Sequence, residues 1–442
     1  MIAGRHLGTV IVASLGGLLF GFDTAVISGV TRSLREVFVL AADDPWFGAA
    51  IASALVGTLI GALVMGMPGD RFGTRDTLKV VGLLYVISAV GCAFTWSLGS
   101  FIAFRFIGGI AIGGSSVLVP VYITEIVPAN RRGALTGLFQ FNIVLGILLA
   151  YVSNFIVQQL TGGADAWRWK LAVAAVPAAL FLILLYTIPQ SPRWLVLRAR
   201  LDEAATSLKQ LGIADPAPMI EEFRRAASGA GHARLSWQRH RRPIVLAIVL
   251  AMFNQLSGIN SILYYLNDIF AAAGFSSWSG DLQAVAIGAA NLAATLLALT
   301  VIDKVGRKRL LLIGAVGTAL AQAGVAVIMG TQHGQSLLIW MLTGFIGFFA
   351  FSQGAVIWVY LSEIFPTAVR ARGQSIGSAT HWAMNAVLQF AFPYVAAHTR
   401  ALPFVFFAAC MALQFVVVAA FFPETRGVEL ESMESAIEAR RT

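Results

Sequence analysis

Two opposite charges and a set of amides stand inside long apolar stretches of this 442-residue chain, where a polar side chain needs a partner or a task. Asp23 lies in the stretch 8–30 and Arg105 in the stretch 101–124. A lone charge in hydrocarbon is costly, so the two are expected to pair. A movement that alters their separation would alter the affinity of the carboxylate for a proton, which is the chemistry of proton coupling. The rival reading is a static salt bridge that holds two helices together. The amides are Gln140, Asn254, Gln255, Asn260, Asn291 and Asn385. Each offers a donor and an acceptor on one planar head and carries no charge, which suits the adjacent hydroxyls of a sugar. An organic acid or a drug cation would call for a spare charge instead. Gln255 and Asn260 are five residues apart, about 140° around a continuous helix. A break near Gly258 would let both face one cavity, with Asn260 and Tyr264 sharing a helix face at i,i+4. The competing role for each amide is a helix–helix hydrogen bond worth about 0.6–2 kcal/mol.

The elements that must position these residues follow from composition. Hydrophobic residues make up 58% of the chain and charged ones only 12%, with a mean hydropathy of +0.78. A soluble chain carries roughly 25% charged residues, so much of this one faces lipid. Apolar stretches near the length a bilayer requires, about 20 residues, fall at 8–30, 47–68, 78–96, 101–124, 134–160 and 170–189. A second set falls at 243–273, 283–302, 308–330, 336–361, 373–398 and 402–423. The first has no obvious small-residue cleavage site and reads as a retained helix. With both termini in the cytoplasm, all but Arg32, Arg35, Arg105, Arg168, Lys170 and Arg400 of the 31 Lys and Arg lie on cytoplasmic segments. The net charge of +9 then reports topology and contact with anionic lipid, not nucleic acid. Cys92 and Cys410 sit in apolar stretches, so neither a disulfide framework nor a metal site is expected.

The plan is duplicated. Asp70-Arg71-Phe72-Gly73 after the second stretch returns as Asp303-Lys304-Val305-Gly306 after the eighth. Glu125, Pro128 and Arg132 return as Glu363, Pro366 and Arg370, and Pro189-Gln190 returns as Pro423-Glu424, all at nearly one offset. Six spans are an even number, so both copies enter the membrane in the same sense, as a parallel repeat. The expected organisation is an all-α membrane protein with 12 transmembrane helices in two six-helix bundles. Residues 1–189 form the first bundle, 190–242 a cytoplasmic linker with short helices near 201–211 and 218–227, 243–423 the second bundle, and 424–442 a tail. Carboxylates recur with bases in the repeated motifs, which positive-inside sorting does not require. Asp70, Arg71, Glu125, Arg132, Asp303, Arg307, Glu363 and Arg370 are therefore expected to form ion pairs that close the cytoplasmic face. Gly17 and Gly21 read as a site of close helix packing.

Several ordered segments carry a family pattern. They are Gly16-Gly17-Leu18-Leu19-Phe20-Gly21-Phe22-Asp23, Arg105-Phe106-Ile107-Gly108-Gly109 and Pro120-Val121-Tyr122-Ile123-Thr124-Glu125. Further on come Pro189-Gln190-Ser191-Pro192-Arg193-Trp194-Leu195, Gln255-Leu256-Ser257-Gly258-Ile259-Asn260 and Pro423-Glu424-Thr425-Arg426-Gly427. Across almost its whole length the chain resembles the sugar porter family of the major facilitator superfamily, nearest to bacterial proton-coupled glucose and xylose symporters. The resemblance implies the major facilitator fold, alternating access, and uptake of a monosaccharide such as glucose or xylose with protons, by a protein functional as a monomer in the bacterial inner membrane. It places sugar contacts at Gln140, Gln255, Asn260, Tyr264, Asn291, Trp358 and Trp382, the Trp faces stacking on the C–H side of a ring. It also favours a coupling role for Asp23 and Arg105, because facilitators of the family commonly have an uncharged residue at the Asp position. The chain departs from the pattern at Asn254, where many relatives have Gln, and at Ile147, where the xylose symporter has Gln. His381 stands just before Trp382 at a position commonly held by an amide, and it joins the sugar-contact candidates as a group that can also titrate. Alternatives from the residues are a facilitator without protons, a drug or organic-ion transporter of the same fold, and a sugar receptor. No HExxH, no nucleotide-binding loop and no pair of catalytic carboxylates within a span is present, so neither enzyme activity nor a cofactor is expected.

Overall fold

The structure, a computed structural model, describes residues 4–41, 43–127, 132–228, 235–365 and 369–425. The side chains of some further helical residues, Arg132, Asp303 and Arg370 among them, lie outside the described residues. Every regular element described is a helix. That is what a bilayer imposes on an open chain, since the backbone has no water to bond with. Among the described residues, eleven spans are long and apolar enough to cross a membrane: His6–Gly29, Pro45–Val64, Thr74–Ala93, Leu98–Ile126, Leu138–Thr161, Ala166–Leu184, Trp237–Tyr264, Gly280–Ile302, Arg307–Thr331, Gln335–Leu361 and Leu402–Phe421. The remaining expected stretch, 373–398, lies in the helix Arg370–His398. Gln374, Ser375, Ser378, Thr380, His381, Asn385 and Gln389 interrupt the apolar run of this eleventh span in chain order.

The chain folds into two compact units. The first contains the described residues of Met1–Val26, Ser53–Ser153 and Val157–His232, and the second those of Ile27–Ala52, Asn154–Ile156 and Ala233–Thr442. In the first unit, backbones approach where glycine removes the side chain. A Cβ added at Gly17 would meet the Phe139 carbonyl, and one added at Gly21 would run into the Ile143 carbonyl. Gly57, Gly61, Gly109 and Gly113 serve the second and fourth spans in the same way. The small-residue spacing read from Gly17 and Gly21 is thus a backbone contact between the first and fifth spans. Gly21→Val should force these spans apart and cost about 3 kcal/mol, the upper end of overpacking. The check is a lower melting temperature of the detergent-purified protein; a melt equal to wild type would refute the contact. The linker helices Leu201–Gln210 and Ala217–Ser228 bury Ala204 and Phe223 against Trp194, Leu195 and Val196.

In the second unit the seventh span is interrupted. Helix Trp237–Leu256 stops at Ser257, Gly258 takes a positive φ of 80°, and a short helix Ile259–Tyr264 follows. Glycine is required there twice over, because the φ is left-handed and an added Cβ would strike the Phe407 ring. The tenth span carries a wide turn of π-helix at Ala350–Gly354. Residues 27–52, although early in the chain, pack with this unit. Arg35 pairs with Asp268 at 2.6 Å and lies over the Phe47 ring. Phe47 meets Tyr265 edge-on, and Tyr265 stacks on Phe392 with ring centroids 5.0 Å apart. Gly48 leaves room for the Phe390 carbonyl.

Candidate functional site

In the first unit, the fourth span brings Arg105 to the first. Its Nη1 donates to Asp23 Oδ1 at 2.6 Å, and the side chains are 1% and 19% exposed. The close approach at Gly21 sets the first span against the fifth two residues before Asp23. Asp23 Oδ2 is buried with no hydrogen-bond partner among the described residues. One carboxylate oxygen is thus held by a cation while the other has no such partner among the described residues.

The amides expected to cooperate meet in the second unit. Asn260 Nδ2 donates to Gln255 Oε1 at 2.9 Å, which the break at Gly258 makes possible across five residues. Gln255 Nε2 donates to Asn254 Oδ1 at 3.1 Å and faces the His381 ring at 3.2 Å. Because Gln255 supplies the hydrogen, the His381 nitrogen it bonds is an acceptor and carries no proton in this arrangement. His381 lies 5.3 Å from the Trp358 ring and edge-on to Trp382 at 5.0 Å. Gln255, Asn260, His381, Trp358 and Trp382 are therefore one contiguous group of neutral polar heads and aromatic faces. Trp382 is buried, whereas Trp358 is 36% exposed. Tyr264 is buried on the short helix that carries Asn260, and Asn291 is buried on the eighth span outside this hydrogen-bonded set. Gln140 is half-buried in the first unit.

Further buried amides stand in these spans, among them Gln322, Gln353, Gln389 and Gln414, each nearly or fully buried. The rule that singled out Gln255, a polar head in an apolar span, also finds them. Gln389 Nε2 donates to Asn385 Oδ1 and to Ser261 Oγ, both at 3.2 Å. His381, Asn385 and Gln389 follow each other at four-residue intervals, so a polar stripe runs along the eleventh span.

The repeated charge motifs build the same joint in each unit. In the first, Gln190 Oε1 accepts from the Arg75 and Ser191 backbone N–H groups at 3.1 and 3.0 Å. Thr74 Oγ1 donates to Glu125 at 3.0 Å, and Tyr122 OH donates to the Pro189 carbonyl. In the second, Glu424 accepts from the Arg307 and Lys308 backbone N–H groups at 2.8 and 3.1 Å. Thr425 and Arg307 both donate to Glu363, and Tyr360 OH donates to the Pro423 carbonyl. In both, the residue after the closing proline caps the helix that follows the glycine turn, satisfying donors that the helix start leaves bare. An added Cβ at Gly73 or Gly306 would meet that capping side chain. Asp70 offers its backbone carbonyl to Trp194 Nε1 and Arg198, while Arg71 lies over the Phe72 ring. Arg307–Glu363 is an ion pair at 2.8 Å. The side chains of Arg132, Asp303 and Arg370 fall outside the described residues.

Comparison with known proteins agrees with these features. The description of sugar (and other) transporters matches residues 9–437. A D-xylose-proton symporter of Escherichia coli (strain K12) is 36% identical over 96% of this chain and 94% of its own length. An arabinose-proton symporter of Bacillus subtilis (strain 168) is 35% identical, covering 96% of this chain and 93% of the relative. A glucose transporter of Staphylococcus epidermidis, GlcP, is 33% identical over 100% of this chain and 99% of its own. Among solved structures, the partially occluded inward open form of the xylose transporter XylE from E. coli superposes with a TM-score of 0.87 at 34% identity. It covers 97% of this chain and 100% of that one. The chain belongs to the sugar (and other) transporter family, the sugar porters of the major facilitator superfamily, and has the fold of that superfamily.

Proposed function

We propose that this chain takes up a monosaccharide, a pentose or a hexose, together with protons and by alternating access. It works as a monomer across the bacterial inner membrane with both termini in the cytoplasm. The observation that carries the reading is the ion pair within the apolar part of the first unit. Asp23 holds Arg105 through one oxygen and has no hydrogen-bond partner among the described residues for the other. A proton arriving at Oδ2 neutralises the carboxyl and weakens its hold on Arg105. The packing of the first span against the fourth then depends on whether a proton is bound, and the proton leaves when the pair re-forms.

The cargo reading rests on the neutral group in the second unit. Gln255 and Asn260 supply paired donors and acceptors, His381 a ring nitrogen, and Trp358 and Trp382 flat faces for the apolar side of a sugar ring. Asn291 and Tyr264 are further contacts on neighbouring helices of that unit, and Gln140 is a separate candidate in the first. Relatives named for xylose, arabinose and glucose support a sugar as cargo. Asp70, Arg71, Glu125, Arg307 and Glu363, with Arg132, Asp303 and Arg370, hold the cytoplasmic ends of the helices and release them as that side opens. Sugar added outside vesicles that contain the purified protein and a trapped pH dye tests the reading. Symport acidifies the lumen in proportion to the sugar taken up. Sugar entry at constant lumenal pH would make the protein a facilitator and remove the role given to Asp23.

A further inference from the structure

Around the break in the seventh span, three glutamines on three other spans keep amide atoms without a hydrogen-bond partner among the described residues. Gln322 of the ninth span donates Nε2 to the Ser257 carbonyl at 3.0 Å, the last residue before the left-handed Gly258. Gln353, in the π-turn of the tenth span, places Nε2 3.2 Å from Met411 Sδ, and its backbone carbonyl accepts from Asn254 Nδ2 at 3.4 Å. Gln414 of the twelfth span follows Met411 by three residues and Phe407 by seven, so the three side chains line one helix face. Phe407 is the ring against Gly258, and Met411 is the neighbour of Gln353. The face that carries Gln414 therefore looks onto the break and the π-turn together.

All three amides are at least 99% buried. Gln322 Oε1, Gln353 Oε1 and both polar atoms of Gln414 have no hydrogen-bond partner among the described residues. Exchanging the oxygen and nitrogen of Gln414 changes nothing, because neither has one. Buried polar heads in a membrane-spanning bundle do not stay unsatisfied at this density. The chemistry of the set selects what completes it. Three amide oxygens need donors and one amide NH2 needs an acceptor. A cation satisfies the oxygens but repels the NH2, and an anion does the reverse. A molecule with two donors and two acceptors satisfies both, at about three hydrogen bonds per buried water.

We propose that Gln322, Gln353 and Gln414 form an internal water site behind the Ser257–Gly258 break. Bound water bonds the amide heads and lends the interrupted backbone exchangeable partners. The segment Ile259–Tyr264 then changes its angle to Trp237–Leu256 by trading bonds with water instead of losing them. This site is separate from the sugar contacts and stands whether or not the cargo is a sugar.

Radiolytic labelling of the purified full chain, in which X-rays make hydroxyl radicals from water where it sits, tests the site. Met411 is fully buried and Met67 is 65% exposed, so Met67 serves as the internal positive control. The expected result is oxidation of Met411 on the same dose scale as Met67, and roughly tenfold less of it in Gln414→Leu, whose side chain excludes the water. Gln414→Leu should also melt roughly 2 °C lower than wild type, because Gln322 and Gln353 lose their donors. Met411 left unmodified while Met67 is oxidised overturns the proposal. So does a Gln414→Leu protein that melts above wild type, the outcome when an apolar isostere replaces a dry, unsatisfied amide. Exchanging Na+ for choline should move neither readout, and a shift would assign the oxygens to a cation instead. If Gln414→Leu does not fold, the wild-type labelling alone decides.

Discussion

Replacing Asp23 with Asn is expected to abolish accumulation of sugar while sparing its exchange. One charge falling through 100 mV supplies about 2.3 kcal/mol, which sustains roughly a 50-fold concentration ratio for one proton per sugar. Asn keeps the shape of the carboxyl and can still accept from Arg105 Nη1, but it cannot carry a proton through a cycle. Uphill uptake in vesicles energised by a proton gradient should therefore collapse to a ratio near one. Counterflow of labelled against unlabelled sugar needs no net proton movement and should persist, which also shows that the variant is folded and inserted. The side chain of Arg105 is 1% exposed, so losing the carboxylate will lower stability as well. Accumulation at the wild-type ratio in Asp23→Asn would refute the assignment outright.

Gln255→Ala should weaken sugar binding about 10- to 100-fold, the span of one to two buried hydrogen bonds left unmade. Gln255 is the hub of its group: it accepts from Asn260 and donates to both Asn254 and the His381 ring. Truncation removes a contact to cargo and frees the neighbouring heads to turn away. The measurement is the sugar concentration that half-saturates exchange, compared with Gln255→Asn, which keeps the amide one methylene back. Unchanged half-saturation in Gln255→Ala would move the sugar site away from this cluster and reopen the drug-transporter reading. A rise in half-saturation with proton coupling intact would separate cargo recognition from the Asp23–Arg105 machinery.

The apolar stretches made most of the fold legible, because a bilayer converts length and hydropathy directly into helices. The eleventh span shows the limit of that rule. Its many polar residues leave it less apolar than its neighbours, since its polar stripe faces protein and not lipid. The break at Gly258 was readable because Gln255 and Asn260 sit on opposite sides of any continuous helix. The π-turn at Ala350–Gly354 was not, as no proline or glycine pair marks its start. Asp23 and Arg105 announced themselves by charge, but the backbone carbonyl that Gly21 meets two residues before Asp23 is one that spacing alone does not identify. The capping roles of Gln190 and Glu424 were hidden for a similar reason. Their repeat was visible, yet their partners are backbone N–H groups, which leave no trace in residue type.

The placement of residues 27–52 in the second unit has a consequence for how the protein is made. Arg35, Phe47 and Gly48 leave the ribosome early, but Asp268, Tyr265 and Phe390 follow more than 200 residues later. The nascent first half must therefore wait in the translocon or the lipid with one segment undocked. A truncated chain ending at the linker would expose that segment to membrane proteases and quality control.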